Sequence, residues 1–575
     1  MAEPADAPRP VRGPRPDGAP EPPAKPLPQP SLESAGFWAS GADGTLRVKH
    51  CHACGRWFHP PLPICVHCRS DDVALDPVSG QATVVAVTVT HQPWLPAFPP
   101  PYAVAIVALA EDDAARLTTN VVGCAPEDVR IGMRVRVRFE QHGGIWLPLF
   151  EPDPETEAAQ GPGPLPEPRD VSAEVSALSR LPRSRRFEDK VALTGVAQSR
   201  TGRRLMTDPL ALTVEACRAA VADAGLELDD IDGLSTYPGI SPYAGLTEGG
   251  VMAVSEALQI RPTWLNGAGE VPGQSGSIIT AMLAVASGLC RHVLCFRTVW
   301  ESSLTAMQRS GAWETPVARA TGAYEWRLPF GASSAAQWIG MHASHYLHRY
   351  GAGREALGAI AVTARDGARR NPDAVFRDPL TMDDYLSARM ISTPFGLYDC
   401  DVPVDGAIAV VVSAIDTVAD LPSRPVLVEA VGTKVLERLS WDQDTLTHMP
   451  QALGPSAHLW TRTDLTPADV DVALLYDGFT FNALSWLERL GFCGLGEATD
   501  FIAGGKTIAL DGELPLNPHG GQLSAGRLHG YGFTREAMLQ LRGEAGDRQV
   551  PDARVAVVTN GGGVPSGAIL LRKAT

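Results

Sequence analysis

The 575-residue sequence predicts two folded parts, a small all-β part with a metal site and a large layered α/β domain. In the first part, a cluster of four cysteines is followed by short β-type runs with Gly and Pro between them, which is typical of a small barrel. In the second part, short apolar strands alternate with alanine-rich helical stretches, which indicates a layered α/β fold. The length is sufficient for about three or four domains.

The composition is that of a globular protein and excludes several functions. The formal net charge of -16 argues against a general affinity for nucleic acid. No run of about 18 uncharged apolar residues is present, so no membrane span is predicted. The N-terminus lacks the basic and apolar pattern of a signal peptide, and ten cysteines are too few for a disulfide framework. We therefore expect a cytoplasmic protein.

Two proline-rich segments divide the chain. Residues 1–30 contain 11 of the 49 prolines and almost no large apolar side chains, so we expect a disordered tail. Residues 152–188 contain a second group of prolines and then the basic patch Arg180–Arg186, and we interpret them as a linker. A solvated tether is favoured for the basic patch over a docking or anion-binding role.

Residues 31–70 are expected to form a short helix with Phe37 and Trp38, followed by a metal ribbon. Residues 71–151 are expected to form the barrel. The alternation of polar and apolar residues in Arg134–Phe139 is that of a half-buried strand. The predicted strands of the barrel are Ala82–Thr90, Tyr102–Leu109, Leu117–Val122 and Met133–Phe139.

The cysteine cluster predicts a structural zinc site. Cys51 and Cys54 form one CxxC pair, and Cys65 and Cys68 form a second pair ten residues later. Four thiolates on two tight turns complete the closed tetrahedral site that zinc favours. A redox dithiol is disfavoured because the surrounding sequence is not thioredoxin-like. The neighbouring histidines are expected to be exposed turn residues.

The large α/β domain is expected to have two parts, residues 189–422 and 423–575, divided after Pro422. Each begins with a buried strand. The predicted strands are Val191–Val196, His292–Thr298, Ala407–Val412, Val426–Val431 and Val555–Thr559, and the clearest predicted helices are Pro209–Ala224 and Ser277–Leu289.

The small part resembles a known family. The order Phe37-Trp38, CxxCG, Phe58-His59-Pro60-Pro61, CxxC and Val78-Ser79-Gly80 is similar to that of the zinc-ribbon and OB-fold proteins that accompany thiolase-like enzymes. The resemblance implies an OB-fold that contributes to acyl-CoA binding. An OB-fold can also bind single-stranded nucleic acid, but residues 31–151 carry 9 Lys and Arg against 12 Asp and Glu, which disfavours that role.

The large domain resembles the sterol-carrier-protein type of the thiolase superfamily. The resemblance implies a layered αβαβα thiolase fold with two similar halves. Its motifs follow one another over nearly the whole domain: Asn371-Pro372-Asp373-Ala374, Pro394-Phe395-Gly396-Leu397-Tyr398-Asp399-Cys400, Tyr476-Asp477-Gly478-Phe479, Asn517-Pro518-His519-Gly520-Gly521 and Asn560-Gly561-Gly562-Gly563.

The groups that perform covalent catalysis in thiolases are absent from these motifs. Gly273 stands at the position of the nucleophilic cysteine, in Gly273-Gln274-Ser275-Gly276. Arg527 stands where the resemblance predicts the activating histidine, and Asn560 replaces the second cysteine. Tyr476 replaces the asparagine that helps to hold an oxyanion-hole water.

A thiolase-like scaffold without a nucleophile suits aldol cleavage, which needs a base, enolate stabilisation and an acid but no acyl-enzyme. The tyrosine in Tyr476-Asp477-Gly478-Phe479 is similar to that of the lipid-transfer-protein-type aldolases of bacterial steroid side-chain breakdown. The resemblance implies an acyl-CoA retro-aldolase that cleaves a β-hydroxyacyl-CoA into a ketone or aldehyde and a short acyl-CoA. Two alternatives stay open: an acyltransferase with an unconventional nucleophile such as Cys400 or Ser275, and a non-catalytic acyl-CoA or lipid carrier.

The predicted catalytic residues are Tyr476 and Tyr398 as acid and base, and His529 as a donor to the thioester oxygen; each also has a purely structural interpretation. Ser275 is interpreted as a helix N-cap or a CoA contact. Glycine amides allow close approach of the thioester or the pantetheine arm. The predicted substrate-binding residues are Gly273, Ser275, Gly520, Gly521, Asn560, Gly561 and Gly562.

The resemblance also implies partners. Thiolase-type domains generally form dimers, so we expect a homodimer through the large domain. An upstream enoyl-CoA hydratase is a candidate supplier of the acyl-CoA substrate. The acyl group itself is left open, a steroid being the family's best-known case.

Overall fold

The computed structural model describes residues 24–238, 250–267, 273–311, 319–449, 451–561 and 566–574. The two predicted parts are both present, and the fold class is confirmed. Within those ranges, none of the helices combines the length and the apolar character that crossing a membrane requires.

The N-terminal part begins with the predicted short helix, α1, which buries Phe37 and Trp38. A three-stranded antiparallel sheet of order β2-β1-β3 follows and carries the cysteines on its turns. These elements are α1 (Ala35–Ala39), β1 (Arg47–Cys51), β2 (Trp57–Phe58) and β3 (Val73–Pro77).

The barrel is formed by five strands that bury alternate side chains in one core. Strand β4 pairs with β5 and β7, and an isolated bridge between Val121 and Phe150 nearly closes the barrel. The strands are β4 (Gln81–Thr90), β5 (Tyr102–Leu109), β6 (Arg116–Thr119), β7 (Arg134–His142) and β8 (Ile145–Pro152).

The proline-rich segments make more contacts than the sequence predicts. The interval 152–188 contains two short helices, α2 (Pro154–Gln160) and α3 (Ser172–Ser176). Within its basic patch, Arg186 is buried and ion-paired with Glu429, so this arginine is not part of a solvated tether. Of the predicted tail, residues 24–30 are described, and the Gln29 amide donates to the Ala320 carbonyl.

The large domain contains eleven described strands and eleven described helices. The strands are β9 (Val191–Gln198), β10 (Gly233–Thr236), β11 (Trp264–Asn266), β12 (His292–Trp300), β13 (Met390–Ser392), β14 (Phe395–Gly396), β15 (Asp405–Ala414), β16 (Val426–Gly432), β17 (Val472–Leu474), β18 (Val555–Asn560) and β19 (Gly567–Lys573). The helices are α4 (Pro209–Asp223), α5 (Val251–Leu258), α6 (Gly276–Ala286), α7 (Glu301–Arg309), α8 (Ala335–Tyr350), α9 (Arg354–Arg369), α10 (Met382–Ser387), α11 (Leu453–Trp460), α12 (Thr480–Leu490), α13 (Ala498–Phe501) and α14 (Tyr531–Arg542).

Nine of these strands form one mixed sheet of order β11-β10-β12-β15-β9-β16-β19-β18-β17. The first five strands belong to the first half of the domain and the last four to the second half, and the halves meet where β9 pairs with β16. Strands β17 and β18 are parallel, so their carboxyl ends lie at the same edge of the sheet.

The barrel is docked firmly on the large domain. The short hairpin β13–β14 extends the barrel sheet, because Ser392 of β13 pairs with Thr90 of β4. The Thr88 hydroxyl donates to the Thr393 carbonyl at 2.6 Å. Helix α8 packs on the same strand, and Met341 joins a shared apolar cluster with Val85 of the barrel. The barrel therefore supports the hairpin that leads into the Tyr398 motif.

Candidate active site

The candidate site lies where the parallel strands β17 and β18 end, the edge at which α/β sheets usually bind ligands. Tyr476 is the second residue after β17, and Asn560 is the last residue of β18. The Tyr476 amide donates to the hydroxyl of Thr559 at 2.9 Å, so the two strand ends are joined directly. The sheet register therefore places the phenol-bearing segment beside the asparagine.

Gly273 lies against Asn560. Its φ angle of 58° is in the left-handed region that favours glycine. A Cβ atom added at Gly273 would lie 1.7 Å from the Asn560 Oδ1 atom. The Asn560 side chain therefore fills the space that a side chain at position 273 would need. Glycine at position 273 and asparagine at position 560, which both replace thiolase cysteines, are therefore sterically dependent on each other.

Several buried polar side chains around this position have no protein partner. A buried polar group that stays unpaired costs about 1–3 kcal/mol, so a cluster of them indicates a place where a polar ligand or water binds. The unpaired atoms are Ser275 Oγ, both amide atoms of Asn560 and His519 Nδ1.

The start of helix α6 is held by a side-chain contact that the sequence does not reveal. Gln274 Oε1 accepts a hydrogen bond of 2.7 Å from the amide of Gly561. Gly561 therefore cannot donate to a thioester while this bond is formed. Ser275 stands at the N-cap of α6, as expected, but its hydroxyl makes no capping hydrogen bond and is free for a ligand.

A hydrogen bond from Arg297 fixes the tautomer of His529. The Arg297 guanidinium donates to His529 Nδ1, so the imidazole proton is on Nε2. Burial, together with the charges of Arg297 and Arg527, lowers the pKa of His529 well below its usual value. His529 is therefore a neutral imidazole that can donate from Nε2. The residue also has a left-handed φ angle of 46°, which is a strained conformation for histidine.

Tyr476 is buried, with 5% of its surface exposed. Burial and the negative charge of Asp401 raise the pKa of this tyrosine well above 10, and the nearby Arg527 only partly offsets them. The phenol therefore holds its proton at neutral pH. A phenol that stays protonated suits Tyr476 to the role of acid.

Arg527 joins two carboxylates beside the phenol. It forms ion pairs with Glu301, the first residue of α7, and with Asp401 at 3.3 Å. Burial raises the pKa of the Asp401 carboxyl to about 6, although Arg527 opposes the shift. A carboxyl group with that pKa is largely ionised at neutral pH and can still accept a proton, as a general base must.

Tyr398 is placed differently from Tyr476. It lies on a single turn after β14 and is half-buried. Its ring stacks near the guanidinium of Arg365, 5.6 Å away, and Arg365 donates to the Ser524 hydroxyl. In the described parts of the chain, no hydrogen bond or ring contact joins Tyr398 directly to Tyr476 or His529.

Cys400 and Ser275 do not form a nucleophile with a base. Burial and the charges of Asp399 and Asp401 raise the pKa of the Cys400 thiol well above its usual value, which disfavours the thiolate. The thiol donates to the Gly396 carbonyl at 3.6 Å. The Ser275 hydroxyl has no basic partner among the described residues.

The glycines of the Asn517-Pro518-His519-Gly520-Gly521 motif are explained by packing. The Gly520 amide already donates to the Asn517 carbonyl at 2.8 Å, so it is not free to bind a thioester. A Cβ at Gly521 would lie 1.7 Å from an oxygen of Asp477. Gly562 was also expected to contact substrate and lies outside the described residues.

The four cysteines converge as the spacing predicts. Cys51 and Cys68 have their sulfurs 3.6 Å apart, and those of Cys54 and Cys65 are 3.7 Å apart. Tetrahedral coordination at a Zn–S distance of about 2.3 Å gives sulfur separations of about 3.8 Å. The arrangement therefore fits zinc in a closed structural site.

Sequence patterns did not identify Asp401, Arg297 or Gln274 as parts of the site. For Asp401, the only indication in the sequence is that it directly follows the motif that ends at Cys400. For Arg297, the indication is that a charged residue stands sixth in a buried strand, where charged residues are rare unless they have a partner. The Gln274 contact joins residues 287 positions apart and has no local signature.

Comparison with known proteins supports this description. Three family models match: "Thiolase C-terminal domain-like" over residues 436–571, "ChsH2, C-terminal OB-fold domain" over 76–140, and "ChsH2, rubredoxin-like zinc ribbon domain" over 38–74. A steroid side-chain-cleaving aldolase of Thermomonospora curvata is 35% identical over 66% of this chain and 97% of its own length.

A second relative, the 17-hydroxy-3-oxo-4-pregnene-20-carboxyl-CoA lyase of Mycobacterium tuberculosis, is 34% identical over 66% of this chain and 99% of its own length. Among solved structures, an Ltp2-ChsH2(DUF35) aldolase has a TM-score of 0.59 and 34% identity, with 67% of this chain and 98% of that chain covered. A monomeric SCP2-thiolase-like protein of Mycobacterium smegmatis, 18% identical with a TM-score of 0.50, shares the fold over 68% of this chain and 78% of its own.

The thiolase fold, together with the 34–35% identity to an aldolase and a lyase over nearly their whole lengths, identifies a thiolase-fold enzyme of the carbon–carbon lyase class. The chain belongs to the family of thiolase-like acyl-CoA aldolases, with the zinc-ribbon and OB-fold domains fused to the aldolase domain in one polypeptide.

Proposed function

We propose that the protein cleaves a β-hydroxyacyl-CoA by a non-covalent retro-aldol reaction at the site around Gly273 and Asn560. The base removes the β-hydroxyl proton, the Cα–Cβ bond breaks, and the β-carbon leaves as a ketone or aldehyde. The electron pair of that bond forms the thioester enolate, which takes a proton at Cα to give the shorter acyl-CoA. The main support for the proposal is the overlap that a side chain at position 273 would make with Asn560, since it leaves no room for a nucleophile at the position where thiolases carry theirs.

His529 and Asn560 hold the thioester oxygen in this proposal. His529 offers an Nε2–H because Arg297 occupies Nδ1. Asn560 offers its side-chain amide, whose Nδ2 is buried and unpaired. Neutral donors fixed in a buried site stabilise developing enolate charge without reorganisation.

Tyr476 and Asp401 share the proton transfers. Tyr476 holds its proton because burial raises the phenol pKa, so it delivers a proton to the enolate carbon. Asp401, with a pKa of about 6, is the acceptor of the hydroxyl proton. The positive charge of Arg527 acts on both Tyr476 and Asp401, and its ion pair with Asp401 holds that carboxylate in place. Tyr398, in contact with Arg365, is assigned a supporting role.

The substrate is proposed to be the CoA thioester of a steroid side chain, as the names of the two relatives suggest. A β-hydroxyacyl-CoA arises when water adds to an α,β-unsaturated thioester, so an enoyl-CoA hydratase is the proposed supplier. A cytoplasmic location is part of the proposal and is supported by the CoA substrate and the thiolate zinc ligands.

A homodimer through the large domain is also proposed. Strand β11 is the edge strand of the nine-stranded sheet, so one side of its backbone has no partner strand among the described residues. Leu265 on this strand is 41% exposed, and Leu283 on the adjacent helix α6 is 48% exposed. An apolar surface beside an open sheet edge is suited to pairing with a second copy.

The experiment is to incubate the full-length protein with a steroid-type β-hydroxyacyl-CoA, without free CoA, and to quantify products by mass spectrometry. Equal amounts of ketone and shorter acyl-CoA support the proposal. A requirement for free CoA points instead to the acyltransferase alternative. Binding in stoichiometric amount without products points to the carrier alternative.

A further inference from the structure

The zinc ribbon carries a second cluster of metal-ligating side chains. Strands β1 and β3 pair so that Val48 faces Asp76 and His50 faces Ala74. Side chains alternate between the faces of a strand, so His50 and Asp76 share one face while Cys51 lies on the other. His52 continues the same face, and its amide donates to the Asp72 carbonyl.

The three side chains converge on one point. His50 Nδ1 and His52 Nε2 each lie 2.9 Å from Asp76 Oδ2. The ligating atoms of His50, His52 and Asp76 all lie within 4.8 Å of one another. None of these residues is needed for the four-thiolate site, which is complete without them.

The surrounding residues orient both imidazoles. The Trp57 ring stacks on His50 with the ring centroids 4.2 Å apart and an interplanar angle of 13°. The second ring nitrogen of His52, Nδ1, lies 3.3 Å from Asp72 Oδ1. A carboxylate on the outer nitrogen of a histidine is the usual support of a metal-bound imidazole.

We propose that His50, His52 and Asp76 form a second metal site, on the opposite face of the ribbon from the four cysteines, for a borderline divalent ion such as zinc. Imidazole and carboxylate ligands suit such ions. Three protein ligands leave at least one coordination position to water, which distinguishes this site from the closed four-thiolate site. The ion would link β1 and its following turn to β3.

The test uses the full-length protein reconstituted with cobalt(II) and measures bound metal per chain by equilibrium dialysis. We expect two equivalents in the unmodified protein. We expect one equivalent in His52→Gln and in Asp76→Asn, since each removes one ligand. His67→Gln, which changes a histidine outside the cluster, should keep two. The thiolate-to-cobalt absorption of the four-cysteine site should be unchanged in all of them, which shows that the ribbon is folded.

Binding of a single equivalent by the unmodified protein, at cobalt concentrations that saturate the thiolate absorption and beyond, would overturn the proposal. Retention of two equivalents by both His52→Gln and Asp76→Asn would overturn it as well. If one variant loses the thiolate absorption, the other still decides, because either substitution alone removes a ligand.

Discussion

A side chain at Gly273 and the amide of Asn560 exclude each other, since an added Cβ would lie 1.7 Å from Asn560 Oδ1. We expect Gly273→Ala to lower the free energy of unfolding by about 2–4 kcal/mol, from overpacking of about 1–3 kcal/mol and a left-handed φ of about 1 kcal/mol. The measurement is urea unfolding at equilibrium.

The matched variant is Gly273→Ala combined with Asn560→Ala. Removing the amide should relieve the overlap, so the double variant should be more stable than the sum of the two single changes predicts. Simple additivity would show that the two positions do not contact each other as described.

Tyr476→Phe removes the acid proposed for the enolate carbon. General acid catalysis contributes about 10²–10⁴-fold, so we expect kcat to fall by at least about 100-fold with KM little changed. Tyr398→Phe is the control and should cost about tenfold or less, because Tyr398 contacts Arg365 rather than Tyr476. Steady-state kinetics of both variants check this, and the reverse order of losses would contradict the assignment.

The pH dependence of kcat/KM should follow Asp401. Burial raises the pKa of this carboxyl to about 6, and the proposed base must be deprotonated. Activity is therefore expected to be full above about pH 7 and to fall as the pH drops through 6. Asp401→Asn should lower activity strongly and remove this acidic limb. An unchanged limb in Asp401→Asn would assign it to another group.

A buried carboxylate, Glu325, contributes to the docking of the N-terminal part on the large domain. The Trp38 indole donates to Glu325 at 2.6 Å, and the Ser34 hydroxyl donates to the same oxygen at 2.7 Å. Trp38→Phe leaves the buried carboxylate with one donor fewer, so we expect a loss of about 1–3 kcal/mol in unfolding free energy. Trp94→Phe is the control, since its indole makes no hydrogen bond within the described residues. Equal losses in the two variants would contradict this role.

The sequence predicted the elements whose signal is local. Strand β5 has the predicted bounds, because it is an apolar run between a proline-rich segment and the acidic turn Glu111-Asp112-Asp113. The hairpin β13–β14 was not predicted, since strands of three and two residues form here by pairing with the barrel about 300 residues earlier in the chain. Long-range pairing of this kind leaves no periodicity in the sequence.

In the candidate site, too, local motifs were predictable from the sequence and long-range contacts were not. The motifs located Gly273 and Asn560, and the structure supplied the contact that explains both. The pKa of Tyr476 depends on how deeply tertiary packing buries the phenol, so its direction was not predictable from the motif. The Arg297 contact that fixes the tautomer of His529 joins residues 232 positions apart.

The most direct test of the non-covalent mechanism is intact-protein mass spectrometry during turnover of a β-hydroxyacyl-CoA, with the reaction quenched in acid over the first few turnovers. A non-covalent mechanism predicts unmodified protein at every time point while ketone and short acyl-CoA accumulate in equal amounts. A protein species heavier by the mass of the acyl group, formed and lost at the rate of turnover, would contradict it.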